Sequence, residues 1–229
     1  MLDHEVLSRE ELERTQATPA PRPDVDETWV TVDGVAVRVV RPPGATRVLP
    51  ALLYLHGGGF VMGNANTHDR LVRELAVGAA MAVAFVEFEG GFPVALEQAY
   101  TVAQWILRRG RTSGLDGQRL GVAGDDTGAA LAASLSAGRV RFAHQSLYYP
   151  RGITAAPCAP STLVIARGTG DEGLAYARDL TAAGVQTATA TFDGAPPHFM
   201  MLNALRHTGA AEAAVRTAVD FLRSERTAP

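Results

Sequence analysis

The chain has 229 residues, 47% of them hydrophobic and 20% charged, enough for one domain with a substantial core and short for two. Its net charge is −3 and its 21 basic residues are all arginine, so there is no basic footprint for nucleic acid or an anionic membrane. The single cysteine, Cys158, excludes an internal disulfide framework.

The charged start MLDHEVLSREELER has no apolar core of a secretory signal, and no apolar run reaches the length of a membrane span. A cytoplasmic location is therefore expected. Residues 1–26 read as a short acidic helix (about 6–15) followed by the Pro-rich linker PAPRPD, and residues 27–229 as a single α/β domain. ETWVTVDG and VAVRVVRPPG are β-like, and the Asp33-Gly34 pair between them signals a hairpin. LPALLYLHGGGF is a continuous apolar run ending in glycines, as expected of a central parallel strand.

From there helices and strands alternate. HDRLVRELAVGAA is an amphipathic helix, MAVAFVEFE a strand, PVALEQAYTVAQWILRRG a helix and QRLGVAG a strand. TGAALAASLSAG is a helix, FAHQSLYYP and PSTLVIARG are strands, DEGLAYARDLTAAG is a helix and VQTATATFDG the last strand. A closing helix is expected over about 200–225. Such alternation predicts a doubly wound, mostly parallel sheet of about eight strands flanked by helices.

In such sheets ligand sites form at the carboxyl ends of the strands, and three loops there stand out. His56-Gly57-Gly58-Gly59-Phe60 follows a strand directly. Its glycines let backbone N–H groups point at an oxyanion, the alternative being a plain flexible turn. Gly124-Asp125-Asp126-Thr127-Gly128 joins a strand to an alanine-rich helix. This is the spacing of a nucleophile elbow, G-x-S-x-G, with aspartate at the tip. Either aspartate also suits a helix N-cap. Phe192-Asp193-Gly194-Ala195-Pro196-Pro197-His198 follows the last strand, and this late position distinguishes His198 from His68, His144 and His207.

HGGGF, the G-x-x-x-G elbow, LVI…DEGLAYARDLTAAGV and the F-D-G…H-F stretch resemble the hormone-sensitive-lipase-like branch of the α/β-hydrolases, over about residues 28–225. The resemblance implies an α/β-hydrolase fold, with members mostly carboxylesterases using a Ser-Asp-His triad. Relatives in specialised metabolism include dehydratases, cyclases and eliminating enzymes. It places the tip residue Asp126 and His198 as the catalytic pair, and Gly58, Gly59 and Thr127 as the oxyanion hole. His56, Asp125 and Asp171 are supporting candidates. Asp171 matches the second, non-triad acidic position of the family's stretch, so the triad acid is missing. The cap is largely deleted, with only RGITAAPCAP between two strands.

An aspartate at the tip rules against serine-type acyl-enzyme chemistry. A permanent carboxylate beside the oxyanion donors competes for them in the ground state, and the helix dipole favours its ionised form. The leading expectation is a non-hydrolytic acid/base step, either elimination of an acyl group or water, or cyclisation. In it His198, its pKa raised by Asp126, would serve as the acid. Alternatives are an Asp-nucleophile hydrolase, a carboxylesterase-like hydrolase, and a degenerate binding or scaffold protein. Neither cofactor nor metal is expected. The expected partner is a small molecule, free or carrier-protein-linked, with a homodimer partner as one candidate cover for the open site. Glu87, Glu89, Asn64, Asn66, Tyr149 and Arg151 are further candidates for the pocket wall.

Overall fold

The computed structural model describes residues 8–153 and 158–226. Eight strands form one sheet in the order β1-β2-β4-β3-β5-β6-β7-β8. They are β1 (Asp26–Val32), β2 (Val35–Arg41), β3 (Leu49–Leu55), β4 (Ala82–Glu87), β5 (Leu115–Asp125), β6 (His144–Tyr148), β7 (Ser161–Ala166) and β8 (Thr187–Thr191). Only β2 runs against the others. The β1–β2 turn is the expected hairpin, with Asp33 at φ 46° and Gly34 at φ 86°, the left-handed pair that a tight two-residue turn requires.

The sheet is covered on both faces, as its unbroken apolar strands demand. In β3, Ala51, Leu53 and Leu55 pack with α3 (Phe92–Arg109), α4 (Asp126–Ser136) and α5 (Glu172–Ala182). Leu52 and Tyr54 face the opposite way, toward α2 (Asp69–Ala79) and α6 (Gly209–Arg226). The short α1 (Arg9–Gln16) begins with a capping box from Ser8 and Glu11 and buries Leu12 on this second face. No helix among the described residues is long and apolar enough to cross a membrane.

The closing helix starts later than expected, at Gly209, and residues 200–208 form turns with a 3₁₀ segment at Asn203–Leu205. The apolar run FMMLNAL suggests a helix, but its carbonyls are already taken. Arg70 donates Nη2 to Met200 O at 2.6 Å, and Gln16 donates Nε2 to Met201 O at 2.9 Å. His198, at φ 59°, also sets the chain in a left-handed turn just before it.

Candidate active site

The loops after β3, β5, β6, β7 and β8 meet at the carboxyl edge of the sheet. They surround a cavity of about 550 Å³ lined by Gly58, Gly59, Asp126, Tyr149, Arg151, Arg167 and His198, among others. β5 ends at Asp125 and α4 begins at once, so Asp126 occupies the tip of a sharp strand–helix turn at φ 51°. That left-handed conformation is uncommon for a residue with a side chain and concentrates at functional sites. Six non-glycine residues have positive φ among the described residues. Asp33 and Ala80 are explained by the hairpin and a helix end, and Phe60 lies in the glycine loop. The other three, Asp126, Tyr149 and His198, all line the cavity.

The elbow demands small neighbours. A Cβ on Gly128 would run into the carbonyl groups of Leu55 and His56. On Gly57 it would lie 2.7 Å from Asp125 Oδ2 and 2.8 Å from Asp126 Cβ. The glycine loop and the elbow therefore pack backbone against side chain, and three hydrogen bonds join them. Gly57 N–H donates to Asp125 Oδ1 at 3.0 Å, Gly58 N–H to Asp126 Oδ2 at 3.2 Å, and Gly59 N–H to Thr127 Oγ1 at 3.1 Å. Gly58, Gly59 and Thr127 do converge on the tip, but here the two glycine donors are occupied by the elbow's own side chains.

Asp126 is buried and receives the guanidinium fork of Arg151, with Nε on Oδ1 and Nη2 on Oδ2, the latter at 3.1 Å. Arg151 appears among the sequence candidates for the pocket wall, but a fork onto a residue 25 positions away has no spacing signature. Such bidentate pairs are the strong kind of charge-assisted hydrogen bond. The pairing keeps the Arg151 charge, its pKa raised chiefly by the hydrogen bond to Asp126.

Asp125 points the other way, fully buried. It accepts the Tyr54 hydroxyl at 3.0 Å and pairs with His68 Nε2 at 3.2 Å. Burial alone would push its carboxyl up, but His68 and the Gly57 N–H outweigh it and hold the pKa down to about 2. Asp125 is thus the ionised anchor of the glycine loop. His68, which position in the chain does not single out, is its partner. His56 is structural: its ring stacks on Phe88 at 4.1 Å, and burial lowers its pKa to about 4.

His198 is half-buried, its ring edge-on to Tyr149, with no hydrogen bond on the imidazole among the described residues. The expected rise of its pKa is reversed. Burial lowers it, and the pull of Asp125 and Asp126 is not enough to compensate, being partly offset by His68 and Arg151. At neutral pH the ring is a base and not an acid. Asp171 lines the same cavity, but its Oδ1 caps α5 by accepting the Gly173 N–H at 2.9 Å and its Oδ2 accepts the Arg167 N–H just past β7 at 3.0 Å. Among the polar wall candidates, Asn64 closes a local turn through Asn66 N–H and Thr67 N–H, and Glu87 accepts Ala65 N–H at 2.7 Å. Neither lines the cavity, whereas Tyr149 and Arg151 do.

Residues 52–166, which run from within β3 through the glycine loop and the elbow to the end of β7, match the family described as alpha/beta hydrolase fold. The chain belongs to the α/β-hydrolase fold, hormone-sensitive-lipase-like branch. Its α/β-hydrolase sheet superimposes on a thermostable esterase from Pseudomonas putida ECU1011 with a TM-score of 0.88 at 27% identity, covering 100% of this chain and 93% of that one. In sequence it is 35% identical over 143 residues to esterase LipI of Mycobacterium tuberculosis, covering 56% of this chain and 45% of LipI. It is 38% identical over 130 residues to an ethyl acetate hydrolase of Pseudomonas putida, covering 52% and 41% respectively. The matched region thus spans about half the length of these curated relatives. Proteins named for ester hydrolysis in both comparisons overturn the expectation of a lyase or cyclase of specialised metabolism. The carboxylesterase-like alternative accords with them.

Proposed function

We propose that this α/β-hydrolase is a carboxylesterase-like hydrolase of small esters in which water, not a serine, attacks the acyl carbon. The observation that carries the reading is the shared cavity of Asp126 and His198 beside the Gly58–Gly59 loop, with both side chains on strained left-handed backbone. An ionised carboxylate has about four lone-pair sites. Arg151 and Gly58 use three on Asp126, one on Oδ1 and two on Oδ2. The remaining one, on Oδ1, suits a water molecule whose second hydrogen faces the neutral His198 ring.

In this mechanism His198 takes a proton from the water and the oxygen adds to the ester carbonyl carbon. The carbonyl oxygen becomes an oxyanion. It is met by the Thr127 N–H, unpaired within the helix as first-turn donors are, and by the Gly59 N–H once Thr127 Oγ1 turns away. The imidazolium then returns its proton to the departing alkoxide as the C–O bond breaks. Asp126 orients the water and steadies the imidazolium, supplying the carboxylate that the missing triad acid would have given. Because Gly58 N–H is spent on Asp126, one oxyanion donor is lost. A donor of that kind is worth about 10²–10³ in kcat, so turnover slower than a serine esterase's is expected. A cavity of about 550 Å³ suits a small ester. A cytoplasmic setting belongs to the same proposal, supported by the lone cysteine.

The test is hydrolysis of p-nitrophenyl acetate and butyrate, followed by one turnover in ¹⁸O-water. Enzyme-dependent hydrolysis, with label in the product acid and none in the Asp126 peptide, is the expected result. Label in Asp126 would instead make the carboxylate a nucleophile. Failure to exceed the buffer rate would reject hydrolysis altogether.

A further inference from the structure

Five charged side chains line the cavity: Asp126, Arg151, Arg167, Asp171 and Glu172. Four are engaged. Asp126 and Arg151 hold each other, Asp171 caps α5, and Glu172 accepts the Gly152 N–H at 2.7 Å. The fifth is not. The Arg167 guanidinium, half-buried just past the end of β7, makes no hydrogen bond or ion pair among the described residues. Tyr149 lies within its electrostatic reach, and the charge-free Tyr149 hydroxyl is itself buried with no hydrogen-bond partner.

An unpaired arginine on an open surface is ordinary, because water serves all five of its N–H groups. Arg167 is partly withdrawn from water, inside a concave site whose carboxylates are each engaged by another donor. Those carboxylates are also offset by their own donors: a guanidinium at Asp126, the α5 N-terminus at Asp171, and a backbone N–H at Glu172. The planar guanidinium fork matches a carboxylate in two parallel hydrogen bonds. The Tyr149 hydroxyl is a further donor without a protein acceptor.

We infer that the Arg167 wall of the cavity, with Tyr149 beside it, is an anion-recognising subsite, and that the substrate is a small ester bearing a carboxylate, such as a monoester of a short dicarboxylic acid. The word ester rests on the hydrolytic reading above. The anion subsite does not.

Glutarate and the uncharged butyramide serve as binding probes, measured by calorimetry on the wild-type chain and on Arg167→Gln and Arg167→Lys. Glutarate is expected to bind the wild type at least about tenfold more tightly than butyramide, the ratio for one charge-assisted hydrogen bond. Arg167→Gln should abolish that preference and Arg167→Lys keep part of it, with melting curves unchanged. In kinetics, mono-p-nitrophenyl glutarate should be preferred over p-nitrophenyl butyrate, and Arg167→Gln should raise KM for the anionic ester alone. If neither ester is turned over while glutarate still binds through Arg167, hydrolysis fails and the subsite stands. If both esters are hydrolysed without preference and Arg167→Gln changes nothing, the subsite fails alone. Equal glutarate binding by wild type and Arg167→Gln likewise overturns it.

Discussion

Replacing His198 by alanine is expected to lower kcat/KM on a small aryl ester by about two to four orders of magnitude, the usual worth of a positioned general base. The fold should survive. The ring is half-buried and makes no hydrogen bond among the described residues, so its removal orphans no partner. The left-handed backbone at φ 59° is shared by wild type and variant. The pH profile separates catalysis from mere packing. Burial lowers the His198 pKa, and the base works only unprotonated. Activity is therefore full above that pKa and lost as pH falls through it, with the acid limb below the ordinary histidine value of about 6.5. Asp126→Asn should bring a loss of similar order, since the amide cannot steady the imidazolium and half its fork to Arg151 is gone. A His198→Ala enzyme keeping a tenth of its rate, or an acid limb above 6.5, would remove His198 from the mechanism.

Backbone features of the site were legible because local rules dictate them. Gly124 and Gly128 flank Asp126 at a fixed spacing, and that spacing forces a turn that only small residues fit. The Asp33-Gly34 hairpin and the buried run of β3 were equally local. Contacts that close over long separations were not legible. Arg151 reaching Asp126 and His68 reaching Asp125 depend on where β5, β6 and α2 end in space. The sign of the His198 shift failed for a related reason: neighbouring carboxylates can be inferred from chain order, whereas burial depends on the packed loops around the ring. The missing serine and triad acid point away from ester hydrolysis, whereas the retained scaffold is one shared with proteins named as esterases. A carboxylate fixed beside a neutral imidazole can still activate water.

Asp125→Ala is expected to be the most destabilising change at this site. The carboxylate is fully buried and serves the Tyr54 hydroxyl, the Gly57 N–H and His68 at once. Deleting it leaves three buried donors without an acceptor, which costs about 3–5 kcal/mol in all. For a chain of this size that is a fall in Tm of roughly 10 °C. The ionisation of Asp125 makes the claim testable in a second way. Its folded pKa of about 2 lies below the ordinary 3.8, so its contribution is fully present above the unfolded value and drains away as pH falls through 3.8 toward 2. The difference corresponds to about 2 kcal/mol. Stability measured by urea titration should therefore differ most between wild type and Asp125→Ala near neutrality, and the gap should narrow by about that amount at pH 2. Asp125→Asn keeps the volume and one acceptor but turns an N–H₂ toward existing donors, so it should fall between the two. Activity should drop further than stability alone explains, because the Gly57 N–H is the hinge from which Gly58 and Gly59 are aimed. A gap between wild type and Asp125→Ala that is unchanged from pH 7 to pH 2 would show that the carboxylate is not the anchor of the glycine loop.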